Sequence, residues 1–291
     1  MVQLLDTDIK TKEVLDWKGV HLLHFQHSSC SQKTRIFLNL KGIDWTSHHV
    51  NLAKQENYEP WFLGINPRGL VPVLVHDGVV HIESNDILTY LDEHFGDRRL
   101  IPEHAQNEIA SGLAEEDNLH LDIRTITMRF IAPRRLANKQ PEKLNAYELD
   151  DGTIEGQADS HKALELKFWK DFNQRGIPDA AAQTSVMRFH AVYARFEDIL
   201  ARQPYLAGEM VTLLDVAWFI YTHRLTQAGY PFEEAHPNVA AWFVALSKMD
   251  AFAKEVQAPM PMRIGLGLLQ GLRRISGSTL QQVVKVPKVA A

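Results

Sequence analysis

The sequence predicts a small α/β layer domain followed by an all-α domain, and two observations carry that division. The first is the run Asn66 to Ser84, which reads as loop, strand, tight turn, strand and helix start. Val71, Val73 and Val75 alternate with Pro72 and Leu74, Asp77-Gly78 is a strong hairpin signal, and Val79, Val80 and Ile82 restart the strand. The second is that strand signals vanish from Pro102 onward, where amphipathic helical spacing takes over.

In chain order, residues 20–25 read as a strand, and residues 27–30 as a polar turn. Ile36, Phe37, Leu38 and Leu40 then fall at helical spacing, with Gly42 as the stop. Trp45 to Leu52 alternates as a second strand. This βαβ unit, with the hairpin and a helix carrying Ile87, Leu88 and Leu91, closes a layer domain near His94. Pro72 opens its strand, so its missing N–H must face an unpaired edge. Ser84 is expected to be the N-cap of the helix that follows. A proline at a strand mouth beside a helix N-terminus puts unpaired backbone groups and a positive dipole end together, which suits a peptide-like anion.

Leu100-Ile101-Pro102-Glu103 reads as a linker. Residues 107–130, 159–173, 181–201, 213–225 and 239–249 suit amphipathic helices. Residues 134–158 are polar, with Pro141, Gly152 and Gly156, and read as a loop or loose insertion. A tail from Pro259 starts Pro-rich and continues as a short helix with Arg263, Arg273 and Arg274 before fraying. The expected boundaries are 19–100, 101–258 and 259–291, with no internal repeat.

At 291 residues and 45% hydrophobic content the chain can bury a sizeable core, and two domains are expected. A net charge of −5 gives no electrostatic reason to expect nucleic-acid binding. The single cysteine, Cys30, excludes an internal disulfide and a cysteine-rich metal site, consistent with a reducing compartment. Residues 1–18 are too polar for a signal peptide, and the apolar stretch 264–272 is too short to span a bilayer. A cytoplasmic protein is expected. Among fourteen histidines, His48 and His49 are strand neighbours facing opposite sides, and no metal-ligand spacing appears, so no metal is expected.

Over nearly its full length the chain resembles the cytosolic glutathione-transferase superfamily. Val71-Pro72 stands where that family holds a cis-proline, and Glu83-Ser84 where it grips the γ-glutamyl end. His27-Ser28-Ser29-Cys30-Ser31 with Arg35-Ile36 is similar to the zeta-class Ser-Ser-Cys-Ser motif. Glu59-Pro60-Trp61-Phe62 through Leu74, and Leu206-Ala207-Gly208-Glu209 through Asp215 with His223-Arg224-Leu225, resemble the ganglioside-induced-differentiation-associated relatives and the bacterial glutathione-dependent β-etherases. The resemblance implies a thioredoxin-like N-terminal domain, an all-α C-terminal domain, and glutathione as cosubstrate.

It also implies roles. A free thiol has a pKa near ~8.5, so only a few per cent is thiolate at neutral pH. Hydroxyl donors at a helix mouth lower that value. Ser28 is the expected thiolate stabiliser, with Ser29 and Cys30 beside it and Ser31 as N-cap. Cys30 as the nucleophile of a mixed disulfide is the alternative. The Val71 main chain would pair with the cysteinyl part of glutathione next to Leu70 and Pro72. Ser84 would take the γ-glutamyl carboxylate and Glu83 the ammonium, with Lys54 and Gln55 candidates for the glycyl carboxylate. Thr212 to Asp215 matches a capping box and is read as structural.

The electrophile pocket of such enzymes lies between the domains. Leu121, Arg124, Thr125 and Met128 on one helix, with Phe168, Trp169, Trp218 and Tyr221, are the candidates to line it. Relative to short zeta enzymes, residues 134–158 are an insertion that would cover the pocket or remodel a dimer face. The expected activity is attack of glutathione on an apolar or aromatic electrophile, with cleavage of lignin-type β-aryl ethers favoured. The alternatives are zeta-type isomerisation of a maleyl diacid and a non-catalytic partner role. The family pairs as dimers, so a homodimer or a heterodimer with a related transferase is expected, with no nucleic-acid or membrane-spanning partner.

Overall fold

The structure is a computed structural model that describes residues 2–96, 98–257 and 260–288, the side chains of 261–263 excepted. It divides into two compact units, one of residues up to 99 with 135–175, the other of 100–134 with residues from 176 on. The segment 135–175, placed in the all-α domain by the sequence reading, clusters with the first unit, and the residues from 259 on with the second.

The first unit is built on a five-stranded sheet in the order β1-β5-β4-β2-β3. Its strands are β1 Val2–Gln3, β2 Val20–His24, β3 Thr46–His49, β4 Val73–His76 and β5 Val79–Ile82. β2 and β3 run parallel, while β4 is antiparallel to β2 and β5 to β4. Helices α1 Ser29–Lys41, α2 Pro60–Leu63 and α3 Ser84–His94 complete the βαβ-ββα order. β1 has no counterpart in the sequence reading, since two residues carry no alternation. Its Val2 N–H donates to Asp86 Oδ2 at 2.7 Å.

Val73, Leu74 and Val75 are all buried, so β4 is covered on both faces and reads as an apolar run rather than an alternation. The Asp77-Gly78 turn has φ of 49° and 85°, the positive pair a tight hairpin turn needs. A Cβ on Gly78 would also meet the Leu15 carbonyl at 2.2 Å. α1 ends at Gly42 in the left-handed conformation, as the sequence predicts.

The polar stretch after residue 133 is not a loop. It forms α6 Arg134–Ala137, α7 Pro141–Leu149 and a hairpin of β6 Thr153–Ile154 with β7 Gln157–Ala158, followed by α8 His161–Arg175. α7 buries only Leu144 and Tyr147, too few positions to leave a periodic stripe in the sequence. Ile154 joins the core of Leu23, Val50, Phe62, Val73 and Ile82.

The second unit is helical: α4 Gln106–Asn118, α5 His120–Phe130, α9 Asp179–Leu200, α10 Leu213–Ala228, α11 Phe232–Ala235, α12 Pro237–Ser247, α13 Asp250–Val256, α14 Met260–Ile275 and α15 Leu280–Val284. The helix expected over 107–130 breaks at Leu119 into α4 and α5. α10 is buried along most of its length and starts at the predicted Thr212–Asp215 box. Asp215 is fully buried and accepts from Leu206 N and Thr212 N at 2.9 Å, Thr212 Oγ1 at 2.8 Å and Trp242 Nε1 at 3.0 Å. Pro259 and the Arg263 side chain, assigned to the tail by the sequence reading, lie outside the described residues. No helix among the described residues is long and apolar enough to cross a membrane.

Candidate glutathione site

Strand register brings the predicted segments together at one end of the sheet. Leu23 lies opposite Val73, so the last residues of β2 sit beside the first of β4. Leu74 lies opposite His81, so β5 finishes at that same end. Hence the turn after β2 (Ser28, Ser29, Cys30), the approach to β4 (Leu70, Val71, Pro72) and the residues after β5 (Glu83, Ser84) share one sheet end. The Val71–Pro72 peptide bond is cis.

At the first segment the cap is Ser28 rather than Ser31. Ser28 Oγ accepts from Ser31 N at 3.3 Å with extended backbone, the geometry of an N-cap. Ser31 is buried instead, and its Oγ accepts from Phe25 N at 3.3 Å. A hydroxyl cap accepts through its lone pair and keeps its own proton to donate. Ser29 and Cys30 are the first helical residues, and all three are half-buried.

Behind the turn, Arg35 holds the loop. Its Nη1 donates to Phe25 O at 3.3 Å and its Nη2 to Gln26 O at 3.0 Å. Nη1 also lies 3.0 Å from His24 Nδ1. Arginine only donates, so His24 Nδ1 must accept and Nε2–H must donate to Ser47 Oγ at 2.8 Å. Burial, then the neighbouring Arg35 charge, push the His24 imidazole down to about 4. Neutral His24 is therefore the working form near neutrality.

The loop before β4 is tied at four points. Asn66 Nδ2 donates to Leu70 O and Asn57 Nδ2 to Gly69 O, each at 2.8 Å. Gly69 N donates to Asn66 O at 2.9 Å, and Tyr147 Oη to Arg68 O at 2.8 Å. At the third segment the cap position is Glu83, not the expected Ser84, which is the first residue of α3. Glu83 holds φ 67°, a conformation that costs a non-glycine residue on the order of 1 kcal/mol or more and clusters at ligand sites. Nearby, Lys33 is buried and donates to Asn85 Oδ1 at 2.7 Å.

Arg68, absent from the predicted set, joins two carboxylates here. Its Nη1 donates to Glu83 Oε1 at 2.6 Å, and its Nε and Nη2 donate to Asp159 Oδ2 at 2.7 Å and Oδ1 at 3.0 Å. The partner lies 91 residues away, so no local pattern could announce it. Other predicted residues fall elsewhere. Gln55 is buried, with its Oε1 taken by Gln140 N at 3.0 Å, whereas Lys54 is exposed.

Of the substrate-wall candidates, Leu121 is exposed on α5 and Arg124, Thr125 and Met128 are half-buried there. Trp218 and Tyr221 are core residues of the helical unit, a correction with a simple cause. α10 is surrounded, and Trp218 packs on Phe189, Tyr193 and Phe196 while donating to Gly112 O at 3.2 Å. The Tyr221 hydroxyl lies 3.3 Å from His120 Nδ1, and His120 Nε2 accepts from Arg124 at 3.1 Å. Phe168 and Trp169 stand on α8 with the first unit, Trp169 buried under the Lys139 ammonium at 4.4 Å. Among the described residues, no group of three His, Cys, Asp or Glu is placed to hold a metal ion.

Residues 27–94 match the glutathione S-transferase N-terminal domain model and residues 179–245 the C-terminal domain model. The chain belongs to the glutathione S-transferase superfamily, whose members use glutathione as cosubstrate. Glutathione S-transferase 1 of Dianthus caryophyllus is 44% identical over 87 residues, 30% of this chain and 39% of that protein. Maleylacetoacetate isomerase of Mus musculus is 36% identical over 109 residues, 34% of this chain and 50% of its own length. The chain thus spans half or less of these two relatives. Protein LigF of Sphingobium sp. SYK-6 is 26% identical over 230 residues, 76% of this chain and 86% of LigF. The crystal structure of β-etherase LigF superposes with a TM-score of 0.69 at 24% identity, covering 81% of this chain and 98% of LigF.

Proposed function

We propose that this chain is a glutathione S-transferase that turns the glutathione thiolate on an apolar, aromatic electrophile. The observation that carries the reading is the register that gathers residues 28–30, 70–72 and 83–84 at one sheet end. The residues there fit the tripeptide. Val71 stands beside the start of β4 at the cis bond, and the positive dipole ends of α1 and α3 favour anions. Glu83 offers a carboxylate to an ammonium. Ser28 would donate its hydroxyl proton to the sulfur while its oxygen caps α1.

In the favoured reaction, β-aryl ether cleavage, the thiolate attacks the carbon that bears an aryloxy group. A C–S bond forms, the C–O bond breaks with its electron pair on oxygen, and the phenoxide takes a proton from water. The overall match to LigF supports this choice over general conjugation. Incubation with glutathione and each enantiomer of a β-aryl ether ketone is expected to release a phenol. Release from neither enantiomer would retire β-ether cleavage and leave the broader transferase reading.

Isomerisation of a maleyl diacid is the second reading, favoured by the likeness to maleylacetoacetate isomerase. Against it, Arg224 is buried and gives Nη1 to Gln227 at 3.0 Å. Turnover of maleylacetone decides. No heat on titrating glutathione would instead favour a non-catalytic partner of a transferase dimer, and sedimentation would show whether the chain pairs with itself.

A further inference from the structure

We infer that Asp159 is a positioning residue for glutathione: through Arg68 it sets the charge and orientation of Glu83 toward the γ-glutamyl ammonium. The inference rests on the glutathione reading above. Glu83 on its own would attract an ammonium, but Arg68 already sits on its Oε1 at 2.6 Å. An Arg–Glu pair is neutral and offers an ammonium little net attraction. Asp159 changes the balance, because one guanidinium between two carboxylates leaves the triad with net charge −1.

Geometry adds to charge. Asp159 takes Nε and Nη2 in a fork, which fixes the guanidinium plane and delivers Nη1 to a single oxygen of Glu83. The second Glu83 oxygen is then presented to an incoming donor. Arg68 and Asp159 side chains are each 14% exposed, so the fork is shielded from solvent screening. Burial disfavours ionisation of Asp159, but the Arg68 hydrogen bond and charge outweigh it and hold the carboxyl below its usual range.

Both anchors of Arg68 come from the same stretch. Tyr147 on α7 holds its carbonyl, and Asp159, just before α8, holds its side chain. That stretch lies between the two regions matched by the family models. Sequence had suggested an insertion that covers a pocket or a dimer face. The structure assigns it to the back of the cosubstrate site.

The test uses the full chain, glutathione, and des-amino glutathione, in which a glutaryl group replaces γ-glutamate. Asp159→Asn removes the charge at nearly constant shape, and Asp159→Ser removes it together with the reach to Arg68. By calorimetry, wild type should bind glutathione more tightly than the des-amino compound. Each variant should lose about tenfold affinity for glutathione and less than twofold for the des-amino compound, as expected for a through-space charge effect at partly shielded range. Unchanged glutathione affinity in the variants, or equal losses for both ligands, overturns the inference while leaving the glutathione site standing. Wild type that binds neither ligand overturns the site and the inference with it.

Discussion

His24 gives the sharpest quantitative expectation. Its imidazole has an ordinary pKa of 6.5 and is pushed down to about 4, first by burial and then by Arg35, His49 and His48. The unfolded chain therefore binds more protons than the folded one between those values. The contribution is fully present above pH 6.5 and is lost as pH falls toward 4. With those two values, linkage gives a loss of about 2 kcal/mol between pH 7 and pH 5. Protonation also places a cation against Arg35, which ties down the Phe25 and Gln26 carbonyls beneath the Ser28 turn. Asn at position 24 can put Oδ1 where Nδ1 accepts from Arg35 and carries no titrating group. Denaturant unfolding from pH 7.5 to 5 should therefore show a shallower fall in stability for His24→Asn, by about 2 kcal/mol. Parallel profiles for the two proteins would refute the assignment of a neutral, accepting His24.

Three further outcomes follow from packing and polar satisfaction. Asp215→Ala strips one acceptor from four donors in a dry site and should cost about 3–5 kcal/mol, read as a large drop in denaturation midpoint. Gly69→Ala forces a Cβ at φ 62°, 3.2 Å from the Tyr58 ring and 3.3 Å from Asn57 O. It should lose about 1–2 kcal/mol and weaken glutathione binding, because the loop presents Leu70 and Val71. Lys33→Met removes the buried hydrogen bond to Asn85 Oδ1 in the first turn of α3 and should lower stability by about 1–2 kcal/mol in the same assay.

Local chemistry made the framework legible. The Asp77-Gly78 turn, the Gly42 stop and the Thr212–Asp215 box each announce themselves within four residues. Cap identity was less secure, because Ser is the preferred cap at both helix mouths. At α1 the cap moved from Ser31 to Ser28. At α3 it moved from Ser84 to Glu83, whose positive φ no propensity favours. The support of the site was invisible for a different reason. Arg68 to Asp159, Gln55 to Gln140 and Tyr147 to Arg68 join residues 79 to 91 apart, and α7 buries too little to leave a stripe. Trp218 and Tyr221 were misplaced because aromatic spacing on a helix cannot tell a surrounded helix from one facing a pocket.

The claim at the centre is that the turn after β2 ionises a bound thiol. Thiolate absorbance of glutathione bound to the wild-type chain, followed against pH, measures it directly. The apparent pKa should fall clearly below the ~8.5 of a free thiol and rise by about one unit or more in Ser28→Ala. A bound thiol that titrates near its free value in wild type, or stays equally acidic when Ser28, Ser29 and Cys30 are each replaced by Ala, would contradict the account.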